Sequence, residues 1–577
     1  MAVSSFQKAT TSFHTGLVRS FLPLVLVSSA ASLFGQSEEI FRSRIEFVAP
    51  ENAGIEFVHT DGQSGKRYMV ETIVGSLAIF DFDNDGLLDL YFVSGAALPG
   101  SPPGLVAGSR LYRNLGHWKF KDVTETSGLV DYGYGMGVVI GDYDNDGFQD
   151  LFLTHFGTNS FFVNRGDGSF VESASKCRVE GPHRVGAGAC FVDIDLDGDL
   201  DLYTSTYVHF AWSEHRVRTV NGKDFHTGPK DYRPANDFLY RNNGEGIFED
   251  VSAEAGITSP APGMAVVSAD FDRDGDFDIM VANDQTENFL LLNDGTGKFA
   301  HNGIVAGVAF DRSGKANGNM GIELCDIDGD LLTDILVTTY QNEMPVYYRC
   351  TQPCLFEDHT NLARLDSMLK PHVKWGVGAV DFDLDGDRDI FIACGHFFDN
   401  LPYLDDRTQQ KVINFMLCND GKGKFKNVTK IAGSALQVVE SSRGAAFDDL
   451  DNDGDVDIVV QNVNAKPTLG RNETNPDSDR LRVRLVSRTG SRDSVGSEVF
   501  AISQTGKTQV SIILAGRGYE SSYGTTQYFG SEHADPIREI VVRWPYGQLE
   551  KFTRTGSAML LIEGSGKPQT GDIGPLK

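Results

Sequence analysis

The stretch Asp81-Phe-Asp83-Asn-Asp85-Gly86-Leu-Leu-Asp89 sets four carboxylates at positions 1, 3, 5 and 9 around a glycine at position 6. The same spacing returns at Asp142, Asp144, Asp146 and Asp150, and at Asp193, Asp195, Asp197 and Asp201. It recurs at Asp270, Asp272, Asp274 and Asp278, and at Asp326, Asp328, Asp330 and Asp334. Asp381, Asp383, Asp385 and Asp389, then Asp449, Asp451, Asp453 and Asp457, complete the set. Four carboxylates and a backbone carbonyl at position 7 make a flexible, oxygen-only cage, which suits Ca²⁺ better than the tighter octahedron of Mg²⁺. An EF-hand would need a bidentate Glu at position 12, where this chain has Phe92, Leu153, Thr204, Val281, Val337, Ile392 and Val460. The reading is therefore up to seven Ca²⁺ ions in non-EF-hand loops. The fifth loop is the weakest, because Leu331 stands where the turn glycine belongs.

These acids also explain the composition. Over 577 residues, 80 Asp+Glu face 51 Lys+Arg, a formal charge of −29, and the loops alone hold 28 carboxylates. Such a balance argues against nucleic acid as a partner, which needs a basic face. Hydrophobic residues at 40% and aromatics at 10% are ample for a packed core. At extracellular affinities, millimolar calcium is worth about 1 kcal/mol per site, so seven sites make calcium chiefly structural.

Loop starts lie 61, 51, 77, 56, 55 and 68 residues apart, the size of a propeller blade. A Gly and small apolar residues precede each loop, as in Gly137-Val-Val-Ile, and an apolar run such as Leu90-Tyr-Phe-Val follows. A second hairpin recurs further on, as in Leu239-Tyr-Arg-Asn-Asn-Gly-Glu-Gly-Ile-Phe248. Four strands in each of seven repeats, with almost no helical period, predict an all-β seven-bladed propeller over 45–476. The seventh repeat ends at Asn472 without its outer strand, and Phe47-Val-Ala-Pro-Glu-Asn-Ala-Gly54 has that strand's form, so the N-terminal segment is expected to complete the last blade.

Residues 1–36 read as an export signal: Lys8 and Arg19 flank the apolar run Phe21 to Phe34, with small residues at 28–32. A retained anchor is the competing reading, but the run falls short of the roughly 20 residues of a span. The expected location is extracellular or periplasmic, with no membrane span after signal cleavage. Seven cysteines exclude a disulfide-built scaffold. Cys350 and Cys354 replace the Asn and Gly of the second hairpin and are expected to form a disulfide, with two unpaired thiols as the alternative. The other five cannot be paired from sequence.

Residues 478–565 read as a small β module, with strands at Leu481 to Val486, Ile540 to Trp544 and Met559 to Ile562 and a flexible tail over 566–577. Gly516-Arg-Gly-Tyr519 reads as a turn between strands, with a binding loop as the other option.

The acidic loops and their flanking glycines resemble the FG-GAP (VCBS) repeats of integrin-type propellers. Gly496-Ser-Glu-Val499, Gln509, Gly516-Arg-Gly-Tyr519-Glu-Ser521, Phe529-Gly530 and Val542-Arg-Trp544-Pro545-Tyr-Gly547 resemble an ASPIC/UnbV domain. The combination is similar to the cartilage acidic protein family, particularly its bacterial exported members. Phe529-Gly530-Ser531-Glu532 departs from the family's usual Phe-Gly-Leu-Gly. The resemblance implies an extracellular, calcium-binding protein of adhesion or matrix type and no defined reaction.

Two function classes follow. The first is an adhesion or interaction scaffold for a protein or glycan partner, using two long inserts: Tyr207 to Asn236, with His209, His215 and His226, and Gly395 to Lys411. The second is a secreted carbohydrate-active enzyme, a lyase or hydrolase, with His155, His396, Glu440 and Arg443 as candidates and no spacing that ties them together. The three insert histidines lack a recognised zinc-ligand spacing. Arg165-Gly166-Asp167 falls in a shared hairpin turn and reads as coincidence with an integrin-recognition tripeptide. Asn427-Val-Thr429 and Asn472-Glu-Thr474 fit the glycosylation sequon.

Overall fold

The computed structural model describes residues 41–474, 478–569 and 573, which belong to one compact unit. The expected export signal and most of the expected tail lie outside the described residues. No helix among the described residues is long and apolar enough to cross a membrane.

Each repeat folds into four antiparallel strands. In the first these are Leu77–Phe80, Asp89–Phe92, Arg110–Asn114 and Phe120–Asp122, paired in that order. The acidic loop joins the first two strands, and the Asn-Gly hairpin joins the last two. The first strand of each unit is buried at every position, as in Gly135–Gly141 and Lys374–Val380. These strands neighbour one another in a closed ring, with Ser442–Asp448 returning to Leu77–Phe80. The glycines before the loops exist because the ring is tight. A Cβ on Gly137 would sit 2.4 Å from Ala187 O, and one on Gly376 would sit 2.7 Å from Ala445 N. The arrangement is all-β and propeller-like.

The unit beginning at Ser442 takes its fourth strand from the other end of the chain. Ile45–Val48 pairs antiparallel with Leu469–Asn472, and Ile45 N donates to Ala432 O at 2.7 Å. Residues 45–48 thus form the outer strand of that sheet and tie the N-terminal segment to the last unit.

The C-terminal module has a three-stranded sheet, Thr526–Glu532, Ser478–Val486 and Ala558–Ile562, and a five-stranded sheet centred on Glu498–Ser503 and Ile537–Arg543. Leu481, Val483, Val499, Phe529, Ile540 and Trp544 form its core.

The segment between Ile512 and Thr526 turns between strands as expected, Arg517 N donating to Ser521 O at 3.1 Å, but its path is not that of a simple surface turn. It leaves the module and enters the centre of the ring. Ala515 O accepts from Phe191 N (3.1 Å), Gly518 N donates to Ile322 O (2.8 Å), Glu520 O accepts from Val138 N (3.0 Å) and Ser522 O accepts from Ile79 N (3.0 Å). The innermost strands of four units thus find partners for backbone groups that would otherwise be buried unpaired. Tyr519 is fully buried, donates to Ile73 O at 2.8 Å and packs edge-on against Trp375. Gly516 is required there, because a Cβ would lie 2.3 Å from Ala189 O.

The expected disulfide is also corrected: Cys350 and Cys354 are both thiols. Cys350 Sγ donates to Gln352 O (3.2 Å), while Cys354 Sγ accepts from Asn302 Nδ2 (3.5 Å). Cys354 N donates to Phe271 O at 2.7 Å, which fixes its backbone toward the neighbouring unit.

Candidate metal centres

Every acidic loop is wound by its first aspartate. Asp81 Oδ1 accepts from Asp85 N and Oδ2 from Gly86 N, both at 3.0 Å. The same pair of bonds recurs on Asp193, Asp270, Asp381 and Asp449. The winding needs left-handed backbone at position 6, where Gly86 has φ 86°. In the fifth loop Leu331 adopts φ 66° and still donates to Asp326 Oδ2 at 2.9 Å. That loop keeps the shape at a cost of about 1 kcal/mol in strain.

Winding the loop crowds the carboxylates. Five of the loops bring three aspartate oxygens within 4.8 Å of one another: Asp81–Asp83–Asp85, Asp142–Asp144–Asp146, Asp193–Asp195–Asp197, Asp270–Asp272–Asp278 and Asp326–Asp328–Asp334. The third-position oxygen is the telling one. Oδ1 of Asp83, Asp195, Asp272, Asp328, Asp383 and Asp451 is buried with no hydrogen-bond partner, as is Oδ1 of Asp142 in the second loop. A buried, unpartnered carboxylate oxygen is expensive unless a cation faces it. The donor set therefore fits a hard cation.

The ninth aspartate does more than the spacing suggests. Asp89 Oδ2 accepts from Phe82 N (3.1 Å) and Oδ1 from Asn114 N (2.7 Å), so it braces the loop's start against the third strand. Asp150, Asp201, Asp278, Asp334 and Asp457 make the same two bonds. In the fourth and fifth loops the ninth residue, Asp278 or Asp334, also joins the ligand group. Burial pushes these acids upward, to about 8 for Asp89 and Asp278. Burial and then the Asp493 charge take Asp142 to about 8, and burial takes Asp193 and Asp326 to about 6.

The C-terminal module reaches these loops. Tyr546 Oη donates to Asp193 Oδ2 (2.7 Å), Gly530 N to Asp381 Oδ2 (3.1 Å), and Asp142 N to Asp493 Oδ2 (3.0 Å). Arg113 pairs with Asp83 and Asp85 at 2.7 and 2.9 Å, and Arg349 pairs with Asp328 and Asp330. None of these contacts was legible, because each joins residues distant in sequence.

The four residues considered for catalysis each have a structural partner. His155 Nε2 lies 3.1 Å from Asp131 Oδ1 in a buried pair, and Glu440 pairs with Lys411 at 2.7 Å. His396 Nδ1 accepts from Phe398 N (3.0 Å), and burial drives the ring down to about 3. Arg443 is fully buried over the Trp375 ring, 4.2 Å from its centroid.

The two long inserts meet. Phe225 packs edge-on against Phe398, His226 stacks on the same ring, and Asn400 Nδ2 donates to Asp224 O at 2.8 Å. His226 is buried and held down to about 3 by that burial, His215 packs on Tyr68, and His209 is exposed. Trp212 at 43% and Tyr403 at 55% exposure keep aromatic surface on the joined inserts. Arg165-Gly166-Asp167 lies in the expected turn, where Asp167 Oδ1 accepts from Ser169 N.

Among known proteins, the FG-GAP-like repeat family matches residues 81–153, 142–204, 224–281, 270–337 and 381–460, and the ASPIC and UnbV family matches 487–565. Cartilage acidic protein 1 of Homo sapiens is 26% identical over 275 residues, 46% of this chain and 37% of that protein. Its Xenopus tropicalis counterpart is 28% identical over 213 residues, 36% of this chain and 29% of that protein. The chain thus matches well under half the length of these curated relatives. Among solved structures, an Agrocybe aegerita lectin recognising non-reducing terminal N-acetylglucosamine aligns at TM-score 0.35 with 17% identity, over 61% of this chain and 79% of that one. PorZ, a surface component of the type-IX secretion system of Porphyromonas gingivalis, aligns at TM-score 0.37 with 11% identity, over 84% and 59%. With repeats matched over more than half of its residues and the second family matched beyond them, the chain belongs to the FG-GAP-like repeat proteins that carry a C-terminal ASPIC and UnbV domain.

Proposed function

We propose that this protein is an exported, calcium-stapled, seven-bladed β-propeller that serves as a rigid adhesion or interaction scaffold for a protein or glycan partner outside the cytoplasm. Its blades span 45–476 and its accessory domain spans 478–565. The 28 aspartates at positions 1, 3, 5 and 9 of the loops are the calcium ligands, with the ninth also bracing the blade. One observation carries the calcium reading: the third-position oxygen is buried and unpartnered in six loops, and Asp83, Asp195, Asp272 and Asp328 each sit beside two further carboxylates. Calcium would neutralise these groups and hold each loop wound, a structural role rather than a reactive one. Recognition falls to the joined inserts, where Trp212 and Tyr403 stand exposed on a rigid support.

The test is metal content after dialysis against about 2 mM calcium, well above the affinity of extracellular modules. The wild-type chain should hold close to seven ions, and Asp272→Ala should hold one fewer with the fold retained. An unchanged ion count in that variant would overturn the ligand assignment. No observation favours the lyase or hydrolase reading, since His155, His396, Glu440 and Arg443 are all engaged in packing or pairing.

A further inference from the structure

A cavity of about 400 Å³ lies between the first acidic loop and the C-terminal module, within the range of small-molecule sites. One wall is Asp81, Gly86 and Leu88 of the loop. The facing wall comes from the strand Ser478–Val486, from Thr525 and Thr526, and from Met559 and Leu560.

The strand alternates strictly. Leu481, Val483 and Leu485 point into the module's core, so Arg480, Arg482 and Arg484 project from its other face. The first two are occupied by the seventh loop. Arg480 pairs with Asp455 at 2.7 Å and donates to Asp453 O, while Arg482 bonds Asn452 Oδ1 and lies 3.7 Å from Asp449 Oδ2. Arg484 borders the cavity with no hydrogen bond or ion pair to any described residue. Its charge is felt by Asp81 in the wall and by the buried Asp493, but Asp81 has both oxygens engaged by Asp85 N and Gly86 N, and Asp493 Oδ2 accepts from Asp142 N and Gln149 Nε2.

We infer that this cavity binds the carboxylate-bearing ring of an acidic glycan, a uronic acid, through Arg484. The lining selects that chemistry. A planar guanidinium with no direct hydrogen bond or ion pair to a described residue matches a carboxylate bidentately. The hydroxyls of Thr525 and Thr526, which make no side-chain hydrogen bond to described residues, suit sugar hydroxyls. Leu88, Met559 and Leu560 offer an apolar patch for the C–H face of a ring. A purely apolar ligand would strip water from Arg484 without replacing it. A densely charged polyanion would meet the acidic loops and a chain of net charge −29. The inference rests on the calcium reading in one respect: an ion in the first loop cancels the repulsion from Asp81, Asp83 and Asp85, so binding is calcium-dependent.

The test is titration of the calcium-loaded full chain with D-glucuronate and with D-glucose, which carries a hydroxymethyl group in place of the carboxylate, followed calorimetrically or by ligand-observed NMR. Glucuronate should bind at least about tenfold more tightly than glucose. Arg484→Gln should weaken glucuronate binding by about 10- to 100-fold with unfolding temperature unchanged, the loss expected for a charge-assisted pair. Arg488→Gln, an exposed control, should bind as the wild type does. Equal binding of the two sugars, wild-type affinity in Arg484→Gln, or no glucuronate binding by protein shown to hold calcium would overturn the inference alone. Glucuronate binding through Arg484 in a chain that takes up no calcium would instead overturn the calcium reading, and with it the calcium dependence stated here.

Discussion

Asn114 Nδ2 donates to Leu450 O at 2.8 Å, fastening the first unit of the ring to the last. The same bond repeats around the ring: Asn164 to Phe82 O, Asn242 to Tyr143 O, Asn293 to Ile194 O, Asn419 to Ile327 O and Asn472 to Phe382 O. Each asparagine also bonds the carbonyl that precedes its own unit's ninth aspartate, as Asn114 does with Leu88 O. In the fifth unit Cys350 takes the asparagine's place, and Cys354 N supplies the bond to Phe271 O.

Removing one of these amides should therefore loosen two units at once. Asn164→Ala is expected to cost about 1–3 kcal/mol for each buried carbonyl left unpaired. Cys354→Gly keeps the N–H and suits the residue's φ of 58°, so its stability should stay close to wild type. Equilibrium denaturation of the two variants checks both, and an unaffected Asn164→Ala would show that the inter-unit bond contributes little.

The repeat, its strands and the closure by residues 45–48 were legible because each is a local, periodic pattern. The asparagine staple was half visible: Leu-Tyr-Arg-Asn recurs, but reads as the start of a turn, since its partner lies in the preceding unit. The path of Gly516 to Ser522 was not legible, because a segment's entry into a channel depends on unpaired backbone groups in four distant strands. Cys350 and Cys354 misled for a related reason. Their spacing suited a bridge, while the backbone bond from Cys354 to Phe271 needs the three-dimensional neighbour.

The central segment depends on an ion pair. Arg517 pairs with Glu323, a fully buried carboxylate that also accepts from Tyr523 Oη at 3.0 Å. Arg517→Met alone should destabilise the protein by about 3–5 kcal/mol, because it strands a buried charge. Adding Glu323→Gln should recover most of that loss. Thermal or denaturant unfolding of the single and double variants provides the cycle, and simple additivity would contradict the pairing.

Calcium-free stability should depend on pH in an unusual direction. Asp89, Asp142 and Asp278 are raised to about 8, and Asp193, Asp270 and Asp326 to about 6, by burial first. Their folded forms hold protons that the unfolded chain releases above the ordinary carboxylate range, so stability falls as pH rises from about 4 to about 8. Calcium needs the deprotonated form and binds more tightly at higher pH. Stripped protein should unfold at a lower temperature at about pH 8 than at about pH 5, and saturating calcium should shrink or invert that difference. Calorimetric scans at the two pH values check it, and a stripped protein that is more stable at the higher pH would contradict the reading.

The most direct test of calcium as the ring's staple is thermal unfolding of the chain titrated with calcium, with magnesium as control and bound metal counted on the same sample. Seven sites worth about 1 kcal/mol each should raise the midpoint by roughly 5–10 °C at millimolar calcium, with close to seven ions bound and magnesium a poor substitute. A midpoint that does not move, or one or two ions held far more tightly than the rest, would contradict the account.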